Sequence, residues 1–230
     1  WPICPCFQDI EEATGKPLGL IGMVRHYQPD MLMNPRSGWI GDYTCEEGDD
    51  EVKGEIRPGV TEKCMSIIKT WGYHTMAEDP DKVMSVSRLK RIFSDCLVRN
   101  MNLMINVCPD RHGQIPPVIE ERLVAFGQWV HAAAEAIYGT TGGPWQPVEG
   151  QYGFCYKGNT IYVYLLGGYQ ENTLVMPPVD KGMKSVRAYN VGTKDKVPVS
   201  QKGQLITLSK INPLKNDITI IAVELNKNVR

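Results

Sequence analysis

The chain has 230 residues, of which 42% are hydrophobic and 22% charged, with a formal net charge of -1. That is enough for one large domain or two small ones, and the balance excludes wholesale disorder. With Lys and Arg scattered, there is no electrostatic case for a nucleic acid or an anionic membrane as partner.

No apolar run approaches the roughly 18 residues of a membrane span, and Trp1 to Cys6 has neither the basic start nor the apolar core of a signal peptide. The compartment is therefore not legible here. Seven cysteines (Cys4, Cys6, Cys45, Cys64, Cys96, Cys108, Cys155) form an odd, widely spaced set, read as buried thiols. Cys4-Pro5-Cys6 is not a Cys-x-x-Cys motif, and no His/Cys pair has zinc spacing, so no metal site is expected.

In chain order, residues 1–15 read as irregular. Residues 16–27 read as a short helix with Pro17 near its start, stopped by Gln28-Pro29. Asp30 to Asn34 then reads as a short apolar strand, and residues 37–63 as a long polar loop, a feature usually kept for function. Glu62 to Ile67 reads as a strand with Thr70 to His74 as its exit loop. Ser85 to Arg99 reads as an amphipathic helix with Val86, Leu89, Ile92, Cys96 and Leu97 on its apolar face. Asn100 to Pro109 reads as a buried strand leading into the turn Asp110 to Pro117. A helix follows, with Ile119, Leu123, Phe126, Val130 and Ala134 at helical spacing down to Gly139.

After Trp145 the period changes from about 3.6 to 2. Gly153 to Lys157 and Thr160 to Leu166, joined by Gly158-Asn159, read as a hairpin. Further strands are expected at Thr173–Met176, Met183–Tyr189, Leu205–Leu208 and Asp217–Leu225, which makes an all-β sandwich. The expected fold is thus the last three or four units of a (β/α)8 TIM barrel over residues 1–145, followed by an antiparallel β-sandwich over 146–230.

Several of these segments resemble the α-L-fucosidase family of glycoside hydrolases. Asn102 to Pro109, followed by Ile115-Pro116-Pro117, is similar to that family's Asn-Leu-Leu-Leu-Asn-Val-Gly-Pro strand and its Ile-Pro-Pro turn. The similarity continues through Gly127-Gln128-Trp129, Glu135 to Thr140 and Gly143-Pro144-Trp145. Glu62-Lys63-Cys64-Met65 and Thr70-Trp71-Gly72-Tyr73 resemble its Trp-Glu-x-Cys-Met and Ser-Trp-Gly-Tyr segments, with departures at Thr61, where Trp is common, and His74, often Asn. Gln28-Pro29-Asp30 and the last strand, Asp217 to Leu225, match as well.

The resemblance implies a retaining glycosidase that releases terminal α-L-fucose from a fucosylated glycan without a cofactor. Such enzymes need two carboxyl groups about 5–5.5 Å apart, one to attack the anomeric carbon and one to protonate the leaving oxygen. The family's nucleophile is an Asp in a Trp-Phe-Asp-Gly strand, and no such motif occurs here; Asp9 sits in a different context. A truncated chain lacking the nucleophile strand, inactive unaided, is therefore expected. The acid/base corresponds to Glu62, through Trp-Glu-x-Cys, or to Glu46, through Gly-Asp-(aromatic)-x-Thr-x-Glu. Either could instead be an ordinary solvated carboxylate. Arg36 corresponds to a substrate-contacting arginine, and Trp71 to an aromatic against which a deoxysugar methyl could rest. The alternative readings are a non-catalytic fucose- or glycan-binding module, and a barrel glycosidase acting on another sugar. Oligomer formation stays open.

Overall fold

A computed structural model describes residues 19–35, 41–48 and 51–229. It opens with helix α1 (Gly19–Tyr27). The expected strand Asp30–Asn34 is not formed: Asp30 lies in a turn, the residues after it join no sheet, and Leu32 is 76% exposed. With no layer to cover Met31 and Leu32, the Asp42 carboxylate takes the Met33 N–H at 2.8 Å, a side-chain bond in place of a ladder.

A parallel sheet is built instead from β1 (Thr44–Glu47), β2 (Thr61–Ser66) and β3 (Met101–Asn106), in that order. β1 lies inside the stretch read as loop, where the acidic residues around it mask Tyr43-Thr44-Cys45 as a strand former. Between β2 and β3 runs α2 (Val86–Leu97), started by Ser85, whose hydroxyl accepts the Arg88 N–H. Its Ile92 and Cys96 pack on Met65 and Met101, so one face of the sheet is covered. β3 feeds α3 (Pro117–Ala132), with Pro116 and Pro117 at its start; the helix breaks at Ala133 and resumes as α4 (Ala134–Ile137).

The remaining strands are antiparallel. They are β4 (Thr141–Gly142), β5 (Tyr152–Lys157), β6 (Thr160–Leu165), β7 (Thr173–Val175), β8 (Ser185–Asn190), β9 (Val199–Lys202), β10 (Leu205–Ser209) and β11 (Thr219–Leu225). β4-β5-β6-β11-β8 form one sheet and β7-β10-β9 a second. Ile161, Val163 and Leu165 of β6 and Ile221, Val223 and Leu225 of β11 meet Leu174, Ile206 and Leu208 of the smaller sheet in one core. The intervening residues Tyr162, Tyr164, Ile220 and Ala222 point the other way, onto Val98, Ala133, Ala136 and Ile137. The larger sheet is buried on both faces, which is why β6 and β11 read as continuous apolar runs.

Candidate functional site

Strand alternation sorts the carboxylates of the parallel sheet onto two faces. Cys45 of β1, Glu62 of β2 and Asn102 of β3 are in register, and the Cys45 Sγ to Glu62 Oε1 distance of 3.7 Å places both side chains on the same side. Two residues on, Glu47, Cys64 and Met104 share that side, and beyond them Ser66 and Asn106. This is the face away from α2. Glu47 and Asn102 are exposed on it and Met104 is 44% exposed, while Cys45, Glu62, Ser66 and Asn106 are half-buried and Cys64 is buried, so the face stands open in part.

Glu46 belongs to the other side. Arg57 Nε donates to its Oε1 at 2.6 Å and Nη2 to its Oε2 at 3.1 Å, a two-pronged clamp of the kind guanidinium favours. The buried Lys63 is in register with Glu46 on the next strand. Arg57, as hydrogen-bond donor and then as charge, holds the Glu46 carboxyl below the usual range for glutamate, with Lys63 adding to it against the opposing effect of burial. A carboxyl so held remains ionised, the reverse of what a proton donor needs.

At the carboxyl ends of β2 and β3, one polar knot fixes the exit loops. Asn106 Nδ2 donates to the Trp71 carbonyl at 2.7 Å and to Ser66 Oγ at 3.1 Å, and Ser66 Oγ donates to the Thr70 carbonyl at 2.7 Å. Cys108, standing where the resembling motif has Gly, adopts a φ of 49°, and its buried thiol lies 3.3 Å from both Ser66 Oγ and the Thr70 carbonyl. Trp71 is thereby held at the rim by its backbone while its side chain stays 46% exposed. His74 serves its own loop, since its Nδ1 accepts the Met76 N–H and caps the turn Thr75–Glu78. Asp110 accepts the N–H groups of His112 and Gln114, both at 2.8 Å, which stiffens the next loop and lowers its carboxyl pKa.

The profile of the alpha-L-fucosidase family matches residues 11–135, more than half of the chain. This chain belongs to the alpha-L-fucosidase family. An alpha-L-fucosidase of Branchiostoma floridae is 30% identical over 136 residues, 55% of this chain and 28% of that one. The tissue alpha-L-fucosidase of Bos taurus is 29% identical over 199 residues, 80% of this chain and 41% of that one. Among solved structures, alpha-L-fucosidase isoenzyme 1 from Paenibacillus thiaminolyticus superposes with a TM-score of 0.74 at 21% identity, covering 89% of this chain and 52% of that one. A Thermotoga maritima alpha-fucosidase in complex with a mechanism-based inhibitor gives a TM-score of 0.70 at 23% identity, 89% of this chain against 48% of that one. The chain thus spans well under two thirds of the length of these fucosidases.

Of the residues that the sequence nominates, Glu62 and Trp71 lie on the sheet and rim just described, Glu46 lies on the opposite face, and Arg36 falls outside the described residues, as does Asp9, which the sequence did not nominate. Glu62 is the second residue of β2, toward the strand's amino end, whereas Glu47 sits at the carboxyl end of β1 on the same open face. In the sequence Glu47 is one of several neighbouring acids that look solvated; its offset of two from Cys45 is the signal that marks it, once β1 is known to be a strand. Among the described residues no group of three or more His, Cys, Asp or Glu side chains is placed to hold a metal ion, and no helix is long and apolar enough to cross a membrane.

Proposed function

We propose that this chain contributes part of the active site of a retaining α-L-fucosidase acting on terminal α-L-fucose of glycoconjugates, with the open face of β1-β2-β3 as one wall of the sugar pocket. The observation that carries the reading is the family match across residues 11–135, which contains every nominated site residue. Related solved structures are described in complex with fucose and with an iminocyclitol inhibitor, which fits the same substrate class. Within this reading residues 1–145 form the later units of a (β/α)8 barrel and 146–230 its β-sandwich companion.

Chemically, the open face offers carboxylates where a glycosidic oxygen can receive a proton. Between the two nominated acids, Glu62 fits the acid/base role better than Glu46, because Arg57 keeps Glu46 ionised and turned away. Glu47 competes with Glu62 through its position at the carboxyl end of a strand, where barrel enzymes carry their catalytic groups. Trp71 supplies an apolar plane for the sugar's methyl-bearing side, and Arg36 a planar donor to its hydroxyls. Asp42 is a poor nucleophile candidate, since Met33 N–H and Arg25 already occupy its two oxygens. With no residue matching the family's attacking Asp, these 230 residues alone are not expected to turn over.

The test is hydrolysis of aryl α-L-fucosides by the fucosidase that carries these residues, with Glu62→Gln, Glu47→Gln and Glu46→Gln compared. Loss of the acid/base slows substrates with poor leaving groups far more than activated ones, an effect of about 10²–10⁴-fold. If none of the three variants shows that split, the assignment of the acid/base to this sheet is wrong. Turnover by the 230-residue chain itself would sink the view that its nucleophile is missing and direct the search to Asp9, Asp30 and Asp42. Fucose binding without any turnover in every form would favour the non-catalytic module.

A further inference from the structure

Where the helical layer meets the larger antiparallel sheet, a cavity of about 370 Å³ opens between the end of α3, the loop 190–197 and the segment 210–219. None of its lining residues belongs to β1, β2 or β3, which carry the Glu62 face, and it falls within the size range of small-ligand sites. Its floor is aliphatic, from Val191, Ile211, Ile218 and Ile220, all buried. Its rim is polar and exposed, with Asp195, Lys196, Lys210 and Asn212 around the mouth. Lys90 and Asp217 also line it but neutralise one another at 2.9 Å.

The walls are built rather than loose. Asn190 Oδ1 accepts the N–H groups of Gly192 and Thr193 at 2.9 and 3.1 Å, folding the loop on itself. Lys194 Nζ reaches Glu135 Oε1 at 2.5 Å and Tyr189 donates to Glu135 Oε2 at 3.0 Å, which anchors the same loop to α4. A pocket held open before any ligand arrives avoids the ordering cost of binding. Its chemistry narrows the occupant. A lipid would leave the polar rim unmatched, and an anion would find only one net positive charge there, since the Asp195 carboxylate offsets one of the two rim ammonium groups, Lys196 and Lys210. A pyranose presents an apolar face to such a floor and a belt of hydroxyls to a rim of mixed donors and acceptors.

We propose that this cavity is a second, non-catalytic glycan site that takes one or two pyranose rings of a neutral saccharide. The inference does not depend on the catalytic reading. The probe is N-acetyllactosamine, which lacks fucose, titrated into the chain while amide NMR shifts are followed. Saturable shifts are expected at Gly192, Thr193 and neighbouring amides, with affinity in the millimolar range usual for such small interfaces. Ala132→Trp, on the exposed last turn of α3, fills the mouth and should weaken binding roughly tenfold or more, about 1.4 kcal/mol. Thr193→Trp is the second blocking variant, should the first disturb the helix. Trp71→Ala should leave this titration unchanged, so failure here and failure of the fucose reading are separable. Absence of saturable shifts, shifts that persist in both folded blocking variants, or saturation by inorganic phosphate in place of the sugar would each overturn the proposal.

Discussion

Gly153, on β5, faces Val98 so closely that a methyl group there has no room. An ideal Cβ at Gly153 would lie 2.6, 2.7 and 2.9 Å from Val98 Cβ, Cγ2 and Cγ1, where carbon atoms ordinarily rest at about 3.5–4.0 Å. Val98 is fully buried in the core shared by the larger sheet and the helices, so it cannot swing aside. Gly153→Ala should therefore destabilise by about 1–3 kcal/mol through overpacking. For a chain of this size that is a fall in Tm of roughly 2–12 °C. Val98→Ala alone removes two methyl groups, about 1.6 kcal/mol at roughly 0.8 per buried carbon, before any cavity cost. In the double variant the new methyl occupies space that Val98 vacates, so the two costs should fall short of their sum by about 1–3 kcal/mol. Urea melts of the four proteins, read by far-ultraviolet circular dichroism, give the cycle. If Gly153→Ala is as stable as the parent, or the two changes simply add, the close docking of α2's end on β5 is wrong.

Further outcomes follow from single contacts. Tyr164→Phe removes the buried hydroxyl that donates to the Ala136 carbonyl at 2.6 Å and should cost about 1–3 kcal/mol in urea unfolding. Asn106→Ala unties the Trp71 loop, and acrylamide quenching of tryptophan fluorescence should rise even where the melt shifts little. Glu46→Gln breaks the Arg57 clamp at a half-exposed site, so a loss of about 1 kcal/mol or less is expected at neutral pH. Because the folded carboxyl lies below its ordinary value of 4.5, that contribution is complete above 4.5 and fades as pH falls through the folded value. The parent and Glu46→Gln should therefore converge in acid, and a gap that widens below pH 4.5 refutes the pairing. In mass-mapped alkylation, Cys45, half-buried, should label ahead of Cys64, Cys96, Cys108 and Cys155. Burial pushes Cys96 up to about 12 and raises Cys155 still further, so neither presents thiolate at neutral pH.

The elements that the sequence disclosed are those whose burial pattern is regular. β6 and β11 alternate between two cores, α2 carries one apolar stripe behind a serine cap, and β3 is a mostly apolar run closed by turn residues. Asp30–Asn34 misled because apolar composition does not provide a pairing partner, and β1 was hidden because its strand-forming residues lie beside a run of acids. β9, Val199–Lys202, alternates between half-buried and exposed and so gives little apolar signal. The same logic separates the site residues. Family motifs point to Glu46 and Glu62 alike, but only strand register shows that they face opposite ways, and no composition-based reading could find the Arg57 clamp across 11 positions of sequence. The polar knot under Trp71 was partly foreseeable, since an asparagine at a strand end tends to bind nearby backbone.

The two-faced burial of the larger antiparallel sheet bears on how this polypeptide can be divided. Cutting the chain between the helices and the sheet would turn Tyr162, Tyr164, Ile220 and Ala222 from interior into surface, and leave the Tyr164 hydroxyl without the Ala136 carbonyl. An excised sandwich would carry that sticky plane into solution and tend to self-associate, while the helices left behind would lose their floor. Expression of either half should be planned with the other present, as fragments coexpressed or as one uncut chain.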